Sequence, residues 1–152
     1  MSVRFRKRTN SLAAMVDNPN GMRVEDALRK ADTNLESIKD ILQVEVEKNL
    51  DELIGLLDGA ATRPDANVLN DAYLRSNQVS GMAGTAGLAP LGQAAFSLCE
   101  LLDRLSTAGR WNAEAVAVHL NAMRLLRKAQ ELTGESKHIL MGLREVVTRA
   151  TA

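Results

Sequence analysis

The chain is 152 residues long, enough for one domain with a single hydrophobic core. Hydrophobic residues make up 45% of it but aromatic residues only 3%, and the three prolines are few, which favours helices over sheets. The 19 Lys and Arg residues balance 19 Asp and Glu residues, so no net charge draws the protein to nucleic acid or to a membrane surface. We therefore predict an all-α protein with neither of these as a partner.

The single cysteine, Cys99, excludes intrachain disulfides and cysteine-based zinc sites, and its apolar neighbours predict a buried position. No apolar run reaches the roughly 18 residues of a membrane span, and the basic start MSVRFRKRTN lacks the apolar core of a signal peptide. We expect a cytoplasmic protein that needs no cofactor and no metal.

Charge is unevenly distributed along the chain. Residues 1–22 begin with four cations in eight residues and end in the turn-forming run DNPNG, which predicts a flexible basic N-terminal arm. Such an arm is typical of a solubilising tail, and contact with an acidic partner is the alternative. Residues 24–58 carry ten acids and four cations, which predicts an acidic, solvated face. Residues 23–152 are expected to form a single helical domain.

The first helical signals start at Val24. The run VEDALRKA places apolar residues on one stripe and predicts a short helix. Thr33 is then a candidate N-cap, with Glu36 at the capping-box position. A long helix should follow to about Asp58, and Gly59 should end it.

Three further long helices follow. The second should open within residues 65–68 and run into a glycine-rich segment. The third should begin at Leu88 or Ala89, with Pro90 in its first turn, and Asn112 is a candidate N-cap for the fourth. A last short helix, SKHILMGLREVVTRA, closes the chain. Four long amphipathic helices with short connections predict an antiparallel up-down four-helix bundle with short extra helices at the ends.

The glycine-rich segment is NQVSGMAGTAG, residues 77–87, in which Gly81, Gly84 and Gly87 are three apart. Each glycine inside a helix costs about 0.5–1 kcal/mol relative to alanine. A phosphate-binding loop is excluded, because neither the dinucleotide fingerprint nor the P-loop pattern is present and no strand precedes the segment. Close approach of a neighbouring helix is one remaining explanation.

The segment also resembles the motif of histidine-containing phosphotransfer (HPt) domains. In that family a bundle helix carries H-x-x-K-G, then small residues, then a second glycine six positions after the first. Gly81 and Gly87 match the two glycines, and residues 83–85 match the small run. LGQAAFSLCELLDRL resembles the family's following helix, and VAVHLNAMRLLRKAQEL with ILMGLREVV is similar to the C-terminal helix pair of alphaproteobacterial members. The resemblance covers roughly residues 24–149.

Two positions depart from the family pattern. Asn77 stands where the family has its phosphorylatable histidine, and Ser80 stands where it has lysine. A neutral imidazole offers a lone pair to a phosphoryl group, whereas the amide nitrogen of Asn has its lone pair delocalised into the carbonyl. Ser80 supplies no cation to offset phosphoryl charge. The resemblance therefore implies a non-catalytic pseudo-HPt module, which is not an enzyme.

The resemblance also implies a docking surface. The family binds the receiver domain of a response regulator around its histidine, so we expect a receiver domain or a histidine-kinase pathway protein as partner. The corresponding partner-binding residues are Leu74, Asn77, Gln78, Ser80, Gly81, Met82, Gly84 and Gln93.

Other chemistry-bearing residues are read as structural. His119 lies on an apolar stripe and is predicted to be a core histidine, while His138 is predicted to lie at the surface. Trp111 is interpreted as a capping hydrophobe. Four carboxylates that could serve acid/base chemistry are assigned to the solvated acidic face: Asp40, Glu47, Asp51 and Glu52.

Two alternative functions remain open. The chain could be a structural or self-associating bundle, a homodimer for example, with Met82 and Met123 lining an adaptable apolar contact. It could also be an active phosphotransferase that uses His119 or His138.

Overall fold

The computed structural model describes residues 23–151, and these residues form five α-helices without a β-strand. The predicted all-α class is confirmed. The helices are α1 (Val24–Leu57), α2 (Ala66–Ala83), α3 (Ala89–Thr107), α4 (Ala113–Leu126) and α5 (Gly134–Thr151).

Helix starts follow the sequence signals. The carboxylate of Asp65 accepts hydrogen bonds from the backbone N–H groups of Asn67 and Val68, at 2.9 and 3.0 Å, and so caps α2. Asn112 caps α4 by accepting from the N–H of Ala115 at 3.0 Å. Pro90 lies in the first turn of α3, where its missing N–H leaves no helical bond unmade. These predicted starts are confirmed.

Helix ends depend on glycine at three positions. Gly59, Gly87 and Gly109 have φ angles of 72°, 78° and 64°. Residues with a side chain rarely adopt this left-handed conformation, whereas glycine does so at little cost. The predicted stop at Gly59 is confirmed. After α2 the N–H of Leu88 bonds the carbonyl of Ala83 at 2.7 Å and closes the turn around Gly87. Gly87 therefore serves the turn between α2 and α3.

Both ends of the chain differ from expectation. The first helix is continuous through Thr33, whose hydroxyl donates to the carbonyl of Arg29 at 2.9 Å. The predicted N-cap at Thr33 is wrong, since a threonine inside a helix can satisfy its hydroxyl one turn back. At the other end α5 has 18 residues and is as long as α2. The expected short extra helices at the ends are therefore not found, and the predicted arm, residues 1–22, lies outside the described residues.

Contacts divide the chain into two units, Met1–Glu36 and Ser37–Ala152. In the first unit the structure describes residues 23–36, and all of these are exposed. The second unit contains the remaining helices and the hydrophobic core. In that unit α3 contacts α2, α4 and α5, and α4 also contacts α5. Burial of most of α3 therefore sets the positions of its neighbours.

Arginines join the end of α1 to other helices. Arg75 on α2 donates to the side-chain carbonyl of Asn49 at 2.9 Å and lies 2.7 Å from the Glu52 carboxylate. Arg127, just after α4, pairs with both Glu47 and Asp51. Asp51 is exposed, as predicted for the solvated face, while Glu47 and Glu52 are half-buried. The arginine that each of the three faces comes from another part of the fold and was not predicted. Asp40 is exposed as predicted.

Gly92 on α3 is the glycine at which α2 and α3 approach most tightly. A Cβ atom there would lie 3.3 Å from the Cβ of Ala83 and 3.4 Å from the backbone oxygen of Ser80. Neither atom is the end of a flexible side chain, so the helices would have to separate. Close helix approach, one explanation for the glycine-rich segment, thus occurs at a glycine outside that segment.

Substituting Gly92→Ala should therefore lower the free energy of unfolding by about 1–3 kcal/mol, through overpacking between α2 and α3. The matched control is Gly142→Ala on α5, where no atom lies within 4 Å of the added Cβ. This control should gain about 0.5–1 kcal/mol from helix propensity. Urea denaturation measures both, and a stabilising Gly92→Ala would contradict the tight contact.

Candidate functional site

Four of the predicted docking residues share one exposed face of α2. Leu74, Asn77, Gln78 and Gly81 are spaced by three and four residues and are all exposed. We call these four residues the Asn77 face. The opposite side of α2 is buried, and there the hydroxyl of Ser76 donates to the carbonyl of Ala95 on α3 at 2.8 Å.

The Asn77 face is uncharged and sterically open. Within residues 23–151 the side chain of Asn77 makes no hydrogen bond, so its amide is available to a partner. No atom lies within 4 Å of a Cβ added at Gly81 or at Gly84. These two glycines are therefore not required by packing in the described chain, and they leave α2 with little bulk where a second molecule could approach.

Three other predicted docking residues, Ser80, Gln93 and Met82, are not part of the Asn77 face. Ser80 and Gln93 line a groove of about 490 Å³ between α2, α3 and α5, and Asn77 is not among its lining residues. Met82 is half-buried and packs against the core. Met123 is fully buried, so the proposed methionine contact between Met82 and Met123 is wrong as a surface for self-association.

Two residues of this groove were missed from the sequence. Phe96 on α3 is 64% exposed, and Arg144 on α5 has no hydrogen bond or ion pair from its guanidinium to the described residues. A signal existed for Phe96, since it falls with Gln93 and Glu100 on the otherwise polar stripe of α3. Arg144 could not be found, because its placement depends on how α5 packs.

His119 is a buried neutral histidine, as predicted for a core residue. Because a carbonyl can only accept, Nδ1–H donates to the Ala115 carbonyl at 2.8 Å, which leaves Nε2 to accept from the Ser97 hydroxyl at 3.0 Å. Burial lowers the pKa of His119 below its usual 6.5, and the bond to Ala115 opposes that shift. With both ring nitrogens engaged and no surface exposed, the ring is not accessible to a phosphoryl donor.

The remaining single residues take the positions predicted for them. His138 is exposed. Cys99 is buried, and burial raises the pKa of its thiol against the lowering effect of a hydrogen bond with Ser76. Trp111 is half-buried and donates its indole N–H to the carbonyl of Ala60 at 3.0 Å, which is a structural contact.

Two properties of residues 23–151 bear on chemistry. No group of three or more His, Cys, Asp and Glu side chains there could hold a metal ion. None of the helices in this range has the length and apolar content needed to cross a bilayer.

The chain matches no known protein family, no curated protein and no solved structure.

The neutral His119 predicts a pH-dependent stability. Below about pH 6.5 the unfolded chain binds a proton that the folded chain excludes, so the free energy of unfolding falls as pH falls, by at most about 1.4 kcal/mol per pH unit for this group. His119→Gln should be less stable at pH 7.5 but lose less stability between pH 7.5 and 5.5. Thermal unfolding at both pH values measures this.

The control for that experiment is His138→Gln, which removes an exposed histidine. It should retain the pH dependence of the natural chain. An unchanged pH dependence in His119→Gln would show that the buried ring is not the group responsible.

Proposed function

We propose that the protein is an HPt-like module without a phosphoacceptor, which docks the receiver domain of a response regulator in the cytoplasm. Under this proposal helices α1 to α4 form the up-down four-helix bundle of that family, and α5 is an additional C-terminal helix. The module is not an enzyme, since its role is to occupy a receiver and not to accept phosphate from it.

The observation that carries the proposal is the combination of an open Asn77 face with a glycine pattern that packing does not require. Gly81 costs helix stability inside α2, and a Cβ added at Gly81, or at Gly84 just after α2, would meet no other part of the described chain. Close approach of a partner to the backbone here would explain why both positions lack a side chain. The HPt resemblance supplies the kind of partner, a receiver domain.

The residues at the former reaction centre support a non-catalytic role. Asn77 presents an amide that can donate and accept hydrogen bonds but cannot take a phosphoryl group. Ser80 is half-buried beside the groove and carries no charge. The Asn77 face itself has no cation that would stabilise a transferred phosphoryl group. Binding can thus be retained where transfer is lost.

If the Asn77 face docks a receiver, replacing Gly81 by alanine should raise the stability of the chain and at the same time weaken receiver binding. Gly81→Ala should raise the free energy of unfolding by about 0.5–1 kcal/mol, because the added Cβ meets nothing. The same change should weaken receiver binding, and Gly81→Leu should weaken it further. Calorimetric titration against the receiver domains of the host measures binding, and urea denaturation measures stability.

Gly142→Ala on α5 is the matched control, as an exposed helical glycine that also has open space around its Cβ position. It should gain stability without loss of binding. The proposal would fail if no receiver domain bound the natural chain, or if Gly81→Leu bound as tightly as the natural chain.

The double substitution Asn77→His/Ser80→Lys tests whether α2 still has the shape of an HPt site. The new imidazole would lie on the exposed face, with a lysine nearby to offset phosphoryl charge. We expect acid-labile labelling from a phosphorylated receiver in the double variant and none in the natural chain.

The control for labelling is Asn121→His on α4, an exposed position away from the Asn77 face. Labelling of this control as strongly as the double variant would mean that the label does not report a docked geometry. Labelling of the natural chain that His119→Ala or His138→Ala removes would instead favour an active phosphotransferase.

A further inference from the structure

The first half of α1 carries an exposed apolar stripe. Its members are spaced by four and three residues alternately, which is the a/d pattern of a coiled coil. We call it the α1 stripe, and it consists of Val24, Leu28, Ala31, Leu35 and Ile38. The exposed fractions of the four large side chains are between 47% for Ile38 and 75% for Val24. An apolar seam of this kind on a helix is typical of a contact with another helix.

We propose that the α1 stripe pairs with the same stripe of a second copy of this chain, in an antiparallel homodimer with its two-fold axis near Thr33. In that register every layer is apolar on both sides. Leu28 faces Ile38 of the second copy, and Ala31 faces Leu35 of the second copy. Val24 then faces Leu42 of the second copy, which is half-buried and also packs against the core of its own protomer, and symmetry repeats each layer.

The charges that flank the stripe select this arrangement. Glu25 and Lys39 occupy the e positions at the two ends of the stripe, so an antiparallel pair brings each next to its opposite charge on the second copy, twice per dimer. Lys39 is half-buried beside Gly87 of its own protomer, and its side chain would turn toward the second copy to make this pair. Asp32, at the e position nearest the axis, faces Asp32 of the second copy, which is one like-charged pair per dimer against two opposite-charged pairs. A parallel pair would instead place Lys39 near Asn34 and Asp32 near Ala27, without any opposite charges paired.

Neighbouring antiparallel registers fit less well. A shift of one heptad toward the N-terminus places Glu25 next to Asp32 of the second copy, which pairs like charges. A shift in the other direction places Leu28 opposite Glu45 and Val24 opposite Asn49, which is buried in its own protomer. The register centred near Thr33 therefore combines apolar layers with opposite charges at both ends.

The length of the contact sets its strength. Residues 24–42 of a helix span about 28 Å at 1.5 Å per residue, less than three heptads. A coiled coil this short is marginal, so the dimer should form reversibly, with a dissociation constant on the order of micromolar. The proposal does not depend on receiver docking, because it involves α1 and not the Asn77 face.

The first test is the mass of the full chain by sedimentation equilibrium at concentrations from about 1 to 200 µM, around that dissociation constant. The natural chain should convert from monomer to dimer over this range. Leu28→Asp/Leu35→Asp should remain monomeric, and because both side chains are exposed its circular dichroism and thermal unfolding at low concentration should be unchanged. A natural chain that is monomeric throughout this range would overturn the proposal. A monomer in which residues 1–22 covered the stripe would overturn it equally.

Charge reversal tests orientation. Glu25→Lys and Lys39→Glu should each weaken the dimer about fivefold, by turning attraction into repulsion at two symmetric sites. The double variant exchanges the charges and should restore the natural affinity. If the losses of dimer affinity in the two single variants simply added in the double variant, the pairing of Glu25 with Lys39 would be contradicted.

Cysteine cross-linking tests register, in a Cys99→Ala background that removes the natural thiol. Asp32→Cys should form a disulfide-linked dimer on mild oxidation, since the two e positions meet near the axis. Ala31→Cys is the control. Two copies of this d position face each other in a parallel pair, whereas in the proposed antiparallel pair residue 31 faces Leu35 of the second copy. Efficient cross-linking through Ala31→Cys and not through Asp32→Cys would overturn the antiparallel arrangement.

Discussion

The tight contact between α2 and α3 is the constraint on which the candidate site depends. Gly92 lets the backbone of α2 at Ser80 and the methyl group of Ala83 come against α3. One turn earlier the buried hydroxyl of Ser76 is bonded to the carbonyl of Ala95. Together these contacts fix the rotation of α2 about its own axis. The residues that remain on the outside, with Asn77 at their centre, are a consequence of that rotation.

The turn after α2 is held by its own backbone conformation and by contacts with α1. Gly87 takes a left-handed conformation, and Gln43 on α1 donates to the carbonyl of Ala86 at 2.9 Å. A side chain at Gly87 would also meet Lys39, whose Cε atom would lie 3.0 Å from the new Cβ. The three glycines of one short segment therefore have different roles, since Gly87 is required by the turn while Gly81 and Gly84 are not required by any contact.

Local signals in the sequence predicted the starts of α2, α3 and α4, because Asp65, Pro90 and Asn112 act through bonds to residues a few positions away. The uninterrupted α1 was not predicted. Thr33 has the chemistry of an N-cap, and only the structure shows that its hydroxyl bonds back to Arg29 instead. An N-cap at Thr33 would require the helix to begin there, whereas α1 already begins nine residues earlier, at Val24.

The sequence signal for the candidate surface is local as well. The spacing of Leu74, Asn77, Gln78 and Gly81 is a property of one helix, and the structure places these four on a common exposed face. Ser80 and Gln93 are not part of that face, because they line a groove that α5 completes. The ion pairs of the carboxylates on α1 were likewise not predicted, since Arg75 and Arg127 reach them from other parts of the chain. Contacts between distant segments were what the sequence could not supply.

The chemistry of the chain is consistent with binding in place of transfer. Its one buried histidine is held neutral with both ring nitrogens bonded, and the Asn77 face offers amides and small residues without a nucleophile. The α1 stripe is a separate apolar surface on another helix, so self-association and partner docking can be examined independently.

The most direct measurement of the central claim is a map of receiver binding by NMR on the isotopically labelled full chain. Addition of a cognate receiver domain should shift the backbone amide signals of the Asn77 face, with Leu74 and Gly81 among the largest changes. Signals of the α1 stripe, Leu28 and Leu35 for example, should stay in place at a constant protein concentration. Shifts confined to other helices, or none with any receiver domain of the host, would contradict docking through α2.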